Sequence, residues 1–462
     1  MKKTVCELFA GVGGFRCGLN HIHSHEEIKD KDNNWETVWF SQWEPADKKT
    51  QWAHDCYVYN FGTSLDLDGK DTTNCNIEDV DKTKIPDFSL LVGGFPCQDY
   101  SVASSLATSK GLEGKKGVLW WSIRETLEAK RPPFVLLENV DRLLKSPAGQ
   151  RGRDFGIILA CFRDEGYTVE WRVINAADYG FQQRRRRTFI FAYKNDTNYA
   201  KTILKRINYT DKIEGDNHRH SFARLIFEKG FFAETFPVAI GEEKKIRIKE
   251  LPNGIGELSS LFSFEFENSG IMHNGTIYSV KTVPEYGGRQ RTLGDVLETE
   301  DVDEKFFIPV EKLYYTTPSV NSNDARTNPL TKVERQTWQY IKGGKKMPRV
   351  AKNGHEYIFS EGPIPMIDAA DKPARTMLTS EGSFSRTTHI VEDKRSGRIR
   401  LLTPAETERI QGFPTDHTKY ALVKGEKKEM PDNKRRFMMG NALVVNLIEQ
   451  MEPLISKIIS EE

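Results

Sequence analysis

A chain of 462 residues that is 38% hydrophobic and 29% charged can bury a full core and is long enough for two or three domains. Lysine and arginine total 67 against 66 aspartates and glutamates, so the net charge neither favours nor excludes a nucleic acid partner. No stretch approaches the roughly 20 apolar residues of a membrane span, and residues 1–7 lead straight into structured sequence without a secretory segment. We therefore expect a cytoplasmic protein.

The metal-binding residue types do not form a recognisable site. The six cysteines include no Cys-x-x-Cys pair, which argues against a disulfide framework and against a zinc ribbon. His21, His23 and His25 alternate in a stretch without cysteine or paired carboxylates, and such histidines are usually exposed to solvent. We predict no metal site.

The first 195 residues alternate short apolar runs with glycine-rich turns and amphipathic stretches. This alternation predicts a doubly wound α/β fold, with a mostly parallel, Rossmann-like sheet. The predicted strands cover residues 4–9, 37–41, 88–92, 134–137, 168–174 and 188–193. Residues 196–429 are richer in polar and aromatic segments, and we interpret them as a smaller, inserted domain.

Two helical patterns lie near the end of the chain. The first covers residues 403–411, where Thr403 is the expected N-cap, Pro404 occupies the first helical position and Glu406 completes a capping box. The second covers residues 441–459, which are apolar at helical spacing. We expect residues 430–462 to pack on residues 1–195, which makes the first domain discontinuous.

A glycine-rich loop follows the first predicted strand. The loop consists of Phe9, Ala10, Gly11, Val12, Gly13 and Gly14. Glycines allow a ligand to approach the backbone closely, although a simple tight turn is an equally good interpretation. The third glycine adjoins the second, so the dinucleotide fingerprint is not completed. Because Glu44 follows the second strand, where an acid can hold two ribose hydroxyls, a nucleoside cofactor without pyrophosphate fits better than NAD.

Reactive side chains follow the third and fourth predicted strands. Cys97 lies just past a strand end, where it is exposed at the ligand-binding edge of a sheet, although a lone cysteine is more often a small core residue. Glu138 emerges at the same edge, where an apolar surround raises a carboxyl pKa, although such a residue is more often a solvated charge. No one of these features is decisive by itself.

Four consecutive arginines open the last predicted strand of this region. Strand alternation sends Arg185 and Arg187 to one face and Arg184 and Arg186 to the other. A run of this kind is usually a solvated or phosphate-binding face. The pattern therefore offers two arginines to the edge that carries Cys97.

Taken in order, these motifs resemble the DNA cytosine-5 methyltransferases of bacterial restriction-modification systems. The segments that carry the resemblance are residues 9–14, 94–98, 138–140, 183–187, 400–414 and 440–441. Five or more motifs in the family's own order are far more specific than any one of them. The resemblance implies S-adenosylmethionine as the cofactor and carbon 5 of a flipped cytosine in a short double-stranded DNA site as the methyl acceptor.

The resemblance also implies roles for individual residues. The implied catalytic residues are Cys97 as nucleophile, Glu138 as general acid, and Arg185 and Arg187 as stabilisers of charge on the base. Cofactor-binding residues are expected in the glycine loop and at Glu44, Asn76, Ile77, Pro96, Leu119, Asn441 and Ala442. Residues expected to bind DNA are Gln98, Ser101, Asn139, Arg375 and Thr376. Asn76 departs from the family pattern, which commonly has aspartate there.

The region between the arginine strand and residue 400 is expected to recognise the DNA target, and residues 101–117 have the composition of a loop that closes over DNA. We expect a monomer that shares its site with a restriction endonuclease and binds to the bacterial nucleoid. Two alternatives stay open at this point. One is an RNA cytosine-5 methyltransferase, and the other is a catalytically silent DNA-binding protein.

Overall fold

The computed structural model describes residues 1–30, 34–45, 50–95, 119–205, 221–241, 245–314, 336–351 and 354–462. Its strands are β1 Thr4–Leu8, β2 Glu36–Ser41, β3 Leu90–Gly94, β4 Phe134–Val140, β5 Tyr167–Asn175, β6 Arg186–Lys194, β7 Val238–Ile240, β8 Ile246–Glu250, β9 Ser269–His273, β10 Thr276–Val280, β11 Thr282–Pro284, β12 Lys345–Val350, β13 Glu356–Glu361, β14 Ile390–Glu392, β15 Ile399–Leu401, β16 Tyr420–Val423 and β17 Glu426–Glu429. The first six correspond to the six predicted strands.

Helices cover both faces of the central sheet. They are α1 Gly14–Leu19, α2 Trp52–Phe61, α3 Trp120–Lys130, α4 Arg153–Asp164, α5 Asn198–Leu204, α6 Ser221–Arg224, α7 Phe231–Thr235, α8 Ile255–Leu261, α9 Val310–Leu313, α10 Trp338–Lys342, α11 Pro404–Gln411, α12 Asp432–Asn441 and α13 Val445–Ser460. Within the described ranges, no helix is long and apolar enough to span a membrane.

The central sheet has nine strands in the order β2-β1-β3-β4-β6-β5-β9-β10-β8. Strands β1 to β4 pair in parallel, and β6 lies antiparallel between β4 and β5. Because β1, β3 and β4 run in the same direction, the loops that follow them meet at one edge. The predicted α/β Rossmann-like fold is confirmed.

The sheet continues beyond the first 195 residues. Strand β9 pairs antiparallel with β5, and β10 and β8 then extend the sheet with residues 246–280. Arg172 of β5 is buried and donates to the carbonyl oxygens of Phe232, Phe236 and Ile226, which joins residues 221–236 to the sheet. The division of the chain at residue 195 stays a prediction, because the sheet runs across it.

The C-terminal helix α13 packs against α1 directly after the glycine loop. Its buried face includes Val445, Ile448 and Met451, and Ile448 approaches Gly18 so closely that a Cβ at this glycine would lie 2.5 Å from the Ile448 Cβ. Helix α11 has the predicted capping box between Thr403 and Glu406. The end of the chain therefore packs next to its beginning.

Candidate active site

The glycine loop has a backbone shape that is fixed from several sides. Phe9, Gly11 and Gly13 have φ values of 57°, 58° and 90°, and glycine reaches this left-handed region without the cost that a side chain imposes. The amide of Gly11 donates to Gln42 Oε1 at 2.8 Å, and that of Ala10 donates to the Ser41 carbonyl at 2.9 Å. A Cβ added at Gly11 would meet nothing within 4 Å, so the loop is open there.

His417 holds the same loop from the opposite end of the sequence. Its Nε2 donates to the carbonyl oxygen of Val12 at 2.7 Å, and its ring packs against Phe61 and Phe413. Burial lowers the pKa of His417 to about 4, so the ring is neutral near pH 7 and carries its proton on Nε2. Nδ1 is buried without a partner among the described residues. Sequence reasoning missed this contact, because nothing local links residues 12 and 417.

A cavity of about 530 Å³ lies near the ends of β2 and the segment before β3. Trp43, Cys75, Asn76 and Val80 line part of it, together with charged residues of the 66–84 loop. This volume is in the range of small-molecule sites. The predicted residue Asn76 therefore lines a cavity, and its contact with a cofactor stays a prediction.

The neighbouring predicted residues are placed differently. Ile77 is buried in the apolar core. Glu44 exchanges backbone hydrogen bonds with the side chain of Gln51, and Trp43 rather than Glu44 lines the cavity. The expected contact of Glu44 with ribose stays a prediction.

Glu138 and Arg187 form an ion pair at the edge of the sheet. Arg187 Nε lies 2.9 Å from Glu138 Oε1, and the two side chains are only 17% and 13% exposed. Strand register brings them together, because Glu138 pairs with Gly94 of β3 while Arg187 pairs with Val140 of β4. The arginine holds the carboxylate in one orientation beside the end of β3.

Asn139 ties the segment that leads to Cys97 to the strand that carries Glu138. Its Nδ2 donates to the carbonyl oxygen of Phe95 at 2.9 Å, and the side chain is buried. The expected contact of Asn139 with DNA stays a prediction. Cys97, with the other predicted residues Pro96, Gln98 and Ser101 and the 101–117 loop, lies outside the described residues.

Arg185 has a different environment from Arg187. It is buried, and its two terminal nitrogens donate to the carbonyl oxygens of Met377 and Gly440 at 2.9 and 3.0 Å. Burial, reinforced by the nearby charge of Arg187, lowers the pKa of Arg185 to about 9. The predicted shared face of the two arginines stays a prediction, and in the structure Arg185 joins three distant segments whereas Arg187 holds Glu138.

The segment around residue 375 lies along the approach to β6. Arg184 donates its amide to the Ala374 carbonyl at 2.8 Å, and the Thr376 hydroxyl donates to the Arg184 carbonyl. Arg375, predicted to bind DNA, forms an ion pair with Asp368 and donates to the carbonyls of residues 387 and 388. Its guanidinium is thus engaged within the protein.

The remaining predicted cofactor residues lie at helix ends. Leu119 is the half-buried N-cap of α3, Asn441 is the exposed last residue of α12, and Ala442 follows it as the C-cap. Gly440, one residue earlier, is pressed against the backbone of Leu378, where a Cβ would lie 2.5 Å from the carbonyl carbon. In the part of the chain that the structure describes, no group of three or more His, Cys, Asp or Glu side chains is arranged to hold a metal ion.

A nine-stranded mixed sheet that carries a glycine loop, a carboxylate and an arginine at one edge is an α/β, Rossmann-like fold with its candidate ligand-binding groups at that edge. A family model described as C-5 cytosine-specific DNA methylase matches residues 3–457. The chain belongs to this family.

Individual relatives agree with the family. The chain is 41% identical over 458 residues to the type II methyltransferase M.Sau3AI of Staphylococcus aureus, covering 99% of this chain and 96% of the relative. It is 33% identical over 196 residues to M.NgoBI of Neisseria gonorrhoeae, covering 42% of this chain and 52% of that relative. The shorter match indicates that the chain shares only part of its length with some relatives.

Solved structures support the fold. The Dnmt2 methyltransferase of S. pombe is 13% identical with a TM-score of 0.52, and the match covers 99% of each chain. The Entamoeba histolytica methyltransferase EhMeth is also 13% identical, with a TM-score of 0.51 over 100% of this chain and 98% of its own. At this identity the likeness concerns the fold alone.

Proposed function

We propose that the protein transfers a methyl group from S-adenosylmethionine to carbon 5 of a cytosine in a short, specific double-stranded DNA site. The observation that carries the proposal is the edge formed by Glu138 and Arg187, to which Asn139 ties the segment leading to Cys97. Membership of the C-5 cytosine-specific DNA methylase family supports the same reaction. The proposed role is the modification enzyme of a restriction-modification system, as in type II relatives.

Cys97 is the proposed nucleophile. Carbon 5 of cytosine is a poor nucleophile until a thiolate adds to carbon 6 and makes carbon 5 enamine-like. An ordinary cysteine is only a few per cent ionised at pH 7, so the positive charge of Arg187 at this edge favours the thiolate. The base must leave the DNA stack for this attack, at a cost of a few kcal/mol.

Glu138 is the proposed donor of a proton to ring nitrogen 3 as the thiolate adds to carbon 6. Arg187 fixes the carboxyl group of Glu138 and stabilises negative charge that develops on the base carbonyl oxygen. Once carbon 5 carries the methyl group, a base such as bound water takes the carbon 5 proton, and the bond between carbon 6 and sulfur breaks to release the Cys97 thiolate. Arg185 is proposed to position this edge through Met377 and Gly440.

The residues present fit S-adenosylmethionine. The glycine loop is open at Gly11, and Trp43 and Asn76 line a cavity of suitable volume for the nucleoside. When bound, the cofactor supplies an electrophilic methyl group on a sulfonium. The loop amides, Trp43 and Asn76 are proposed to hold it, with contributions from Leu119 and Asn441.

The recognition region is proposed to lie within residues 196–429, with residues 430–462 completing the catalytic part. Contact of α13 with α1 supports the second half of this proposal. Neither RNA methylation nor a silent DNA-binding role is favoured, because a relative whose match covers 99% of this chain is a type II methyltransferase. The protein is further proposed to act as a monomer in the bacterial cytoplasm.

The test is transfer of tritium from labelled S-adenosylmethionine to unmethylated plasmid DNA, followed by bisulfite sequencing of the product. We expect methyl groups on cytosine within one short sequence, and none from the Cys97→Ser variant, because an alcohol does not supply the thiolate. The variant should still bind DNA. Absence of label in wild-type product, or retention of more than about a tenth of turnover by Cys97→Ser, would contradict the proposal.

A further inference from the structure

The two-stranded ribbon β12–β13 exposes one entire face. This face consists of three cross-strand pairs whose six residues are all exposed: Lys346 with Ser360, Pro348 with Ile358, and Val350 with Glu356. Val350 and Ile358 are 65% and 58% exposed, although isoleucine and valine are among the residues most often buried. An isolated two-stranded hairpin is marginally stable in water, so this face is suited to a partner.

The charge on the ribbon favours a polyanion. From residue 345 to residue 361 the sequence has four basic residues, Lys345, Lys346, Arg349 and Lys352, against two acidic residues, Glu356 and Glu361. Among the described residues, Lys346 and Arg349 form no ion pair, and Arg349 stacks on Phe359 at 3.7 Å. Glu361 is neutralised by Lys345 and Arg386, which leaves Glu356 as the one acid of the paired strands without an ion pair in the described part.

The ribbon is joined at its base to the segment that reaches the catalytic edge. Arg386 donates to the Gly362 carbonyl at 2.6 Å, directly beyond β13. The carbonyls of residues 387 and 388 accept from Arg375. The neighbours of Arg375 in sequence, residues 374 and 376, bond to Arg184, and the carbonyl of residue 377 accepts from Arg185. Two residues later in β6 lies Arg187, the partner of Glu138.

We propose that the β12–β13 ribbon enters the major groove of the duplex that carries the target cytosine, with its exposed face against the base edges. A two-stranded β-ribbon fits this groove, and apolar side chains such as Ile358 and Val350 suit contacts with thymine methyl groups. Lys346 contributes a phosphate contact at the rim. A second copy of the chain fits less well, because two basic β12 strands repel each other.

The inference rests on the proposed function, so wild-type methylation of plasmid DNA is measured first. In the main variant an Asn-Gly turn replaces residues 346–360, because Lys345 and Glu361 are paired and a two-residue turn closes such a pair. We expect site-specific methylation to fall by about 100-fold or more, because the variant loses several contacts to bases and phosphates at once. Affinity for S-adenosylmethionine should stay within about twofold and show that the variant is folded.

A point variant tests the same surface without altering the backbone. Lys346→Ala should reduce the slope of log KM for DNA against log salt concentration by about 1, the effect of one lost phosphate contact. The matched control is Lys428→Ala on the β16–β17 hairpin, where Lys428 pairs with Glu426, and its slope should be unchanged.

The outcomes separate the inference from the function. If the wild-type enzyme methylates DNA but the shortened variant keeps its rate and sequence specificity, the ribbon serves another occupant and the inference is wrong. Equal changes in slope for Lys346→Ala and Lys428→Ala would also overturn it, because the effect would then be one of general charge. A wild-type protein that does not methylate DNA would overturn both proposals.

Discussion

The glycine loop and the β12–β13 ribbon are supported in opposite ways. Side chains or backbone of Ser41, Gln42 and His417 hold the loop, while the ribbon exposes one entire face and is fastened near its base by Arg386. Chemistry requires reacting groups to be held in place before the ligand arrives. A recognition surface is completed by its partner. We therefore expect substitutions at the glycine loop and at the Glu138–Arg187 edge to change turnover or cofactor binding. Substitutions in the ribbon should change the affinity and the sequence specificity for DNA.

The largest effect on turnover is expected for Glu138→Gln, which tests the proposed proton transfer by Glu138. The amide keeps a hydrogen-bond donor beside Arg187 but does not transfer a proton, so we expect turnover to fall by about 10²–10⁴-fold. Affinity for S-adenosylmethionine, measured by calorimetry, should be unchanged. Normal turnover with weakened cofactor binding would move Glu138 into the cofactor pocket.

Arg185 and Arg187 provide the next contrast. Arg185→Met leaves the buried carbonyls of Met377 and Gly440 without donors, so we expect the free energy of unfolding to fall by about 2 kcal/mol. Arg187→Met, the matched variant, should lower turnover with a smaller change in stability. Urea titration and single-turnover kinetics of both proteins measure the difference. Equal effects on stability would mean that the two arginines share one role.

His417→Phe tests whether a distant residue shapes the loop. The variant keeps an aromatic ring between Phe61 and Phe413 but removes the donor to Val12. We expect KM for S-adenosylmethionine to rise about tenfold, the effect of one lost hydrogen bond, with kcat within about twofold. His417→Gln, which retains an N–H donor, should recover part of the affinity. An unchanged KM would show that the loop does not depend on this bond.

Acid should destabilise the fold through the same residue, because protonation places a charge on the buried ring of His417. The pKa of His417 is about 4 in the folded protein against 6.5 as its ordinary value, so the unfolded chain binds the proton first. Stability is therefore complete above about pH 6.5 and falls as the pH drops towards 4, by at most about 3 kcal/mol from this group. His417→Phe should flatten the profile of unfolding free energy over that window. His273, also with a pKa of about 4, accounts for a residual slope.

The sequence by itself determined the elements whose cause is local. Apolar runs bounded by turns predicted β1 to β6, and the capping box of Thr403 and Glu406 predicted the start of α11. The order of motifs indicated the family, and the family model confirms it. These features depend on neighbouring residues or on periodicity, which a single sequence contains. The catalytic role of Cys97 stays a prediction on the same basis.

Tertiary structure decided what depends on residues far apart in the chain. Strands β9, β10 and β8 join the edge at β5 because that edge offers unpaired backbone groups, and no local pattern specifies this pairing. The burial of Arg185 requires residues 377 and 440 at once, and the bond from His417 to Val12 spans 405 positions. Contacts of this kind exist only after the chain has closed these long loops, because it is the fold that brings the two partners within bonding distance.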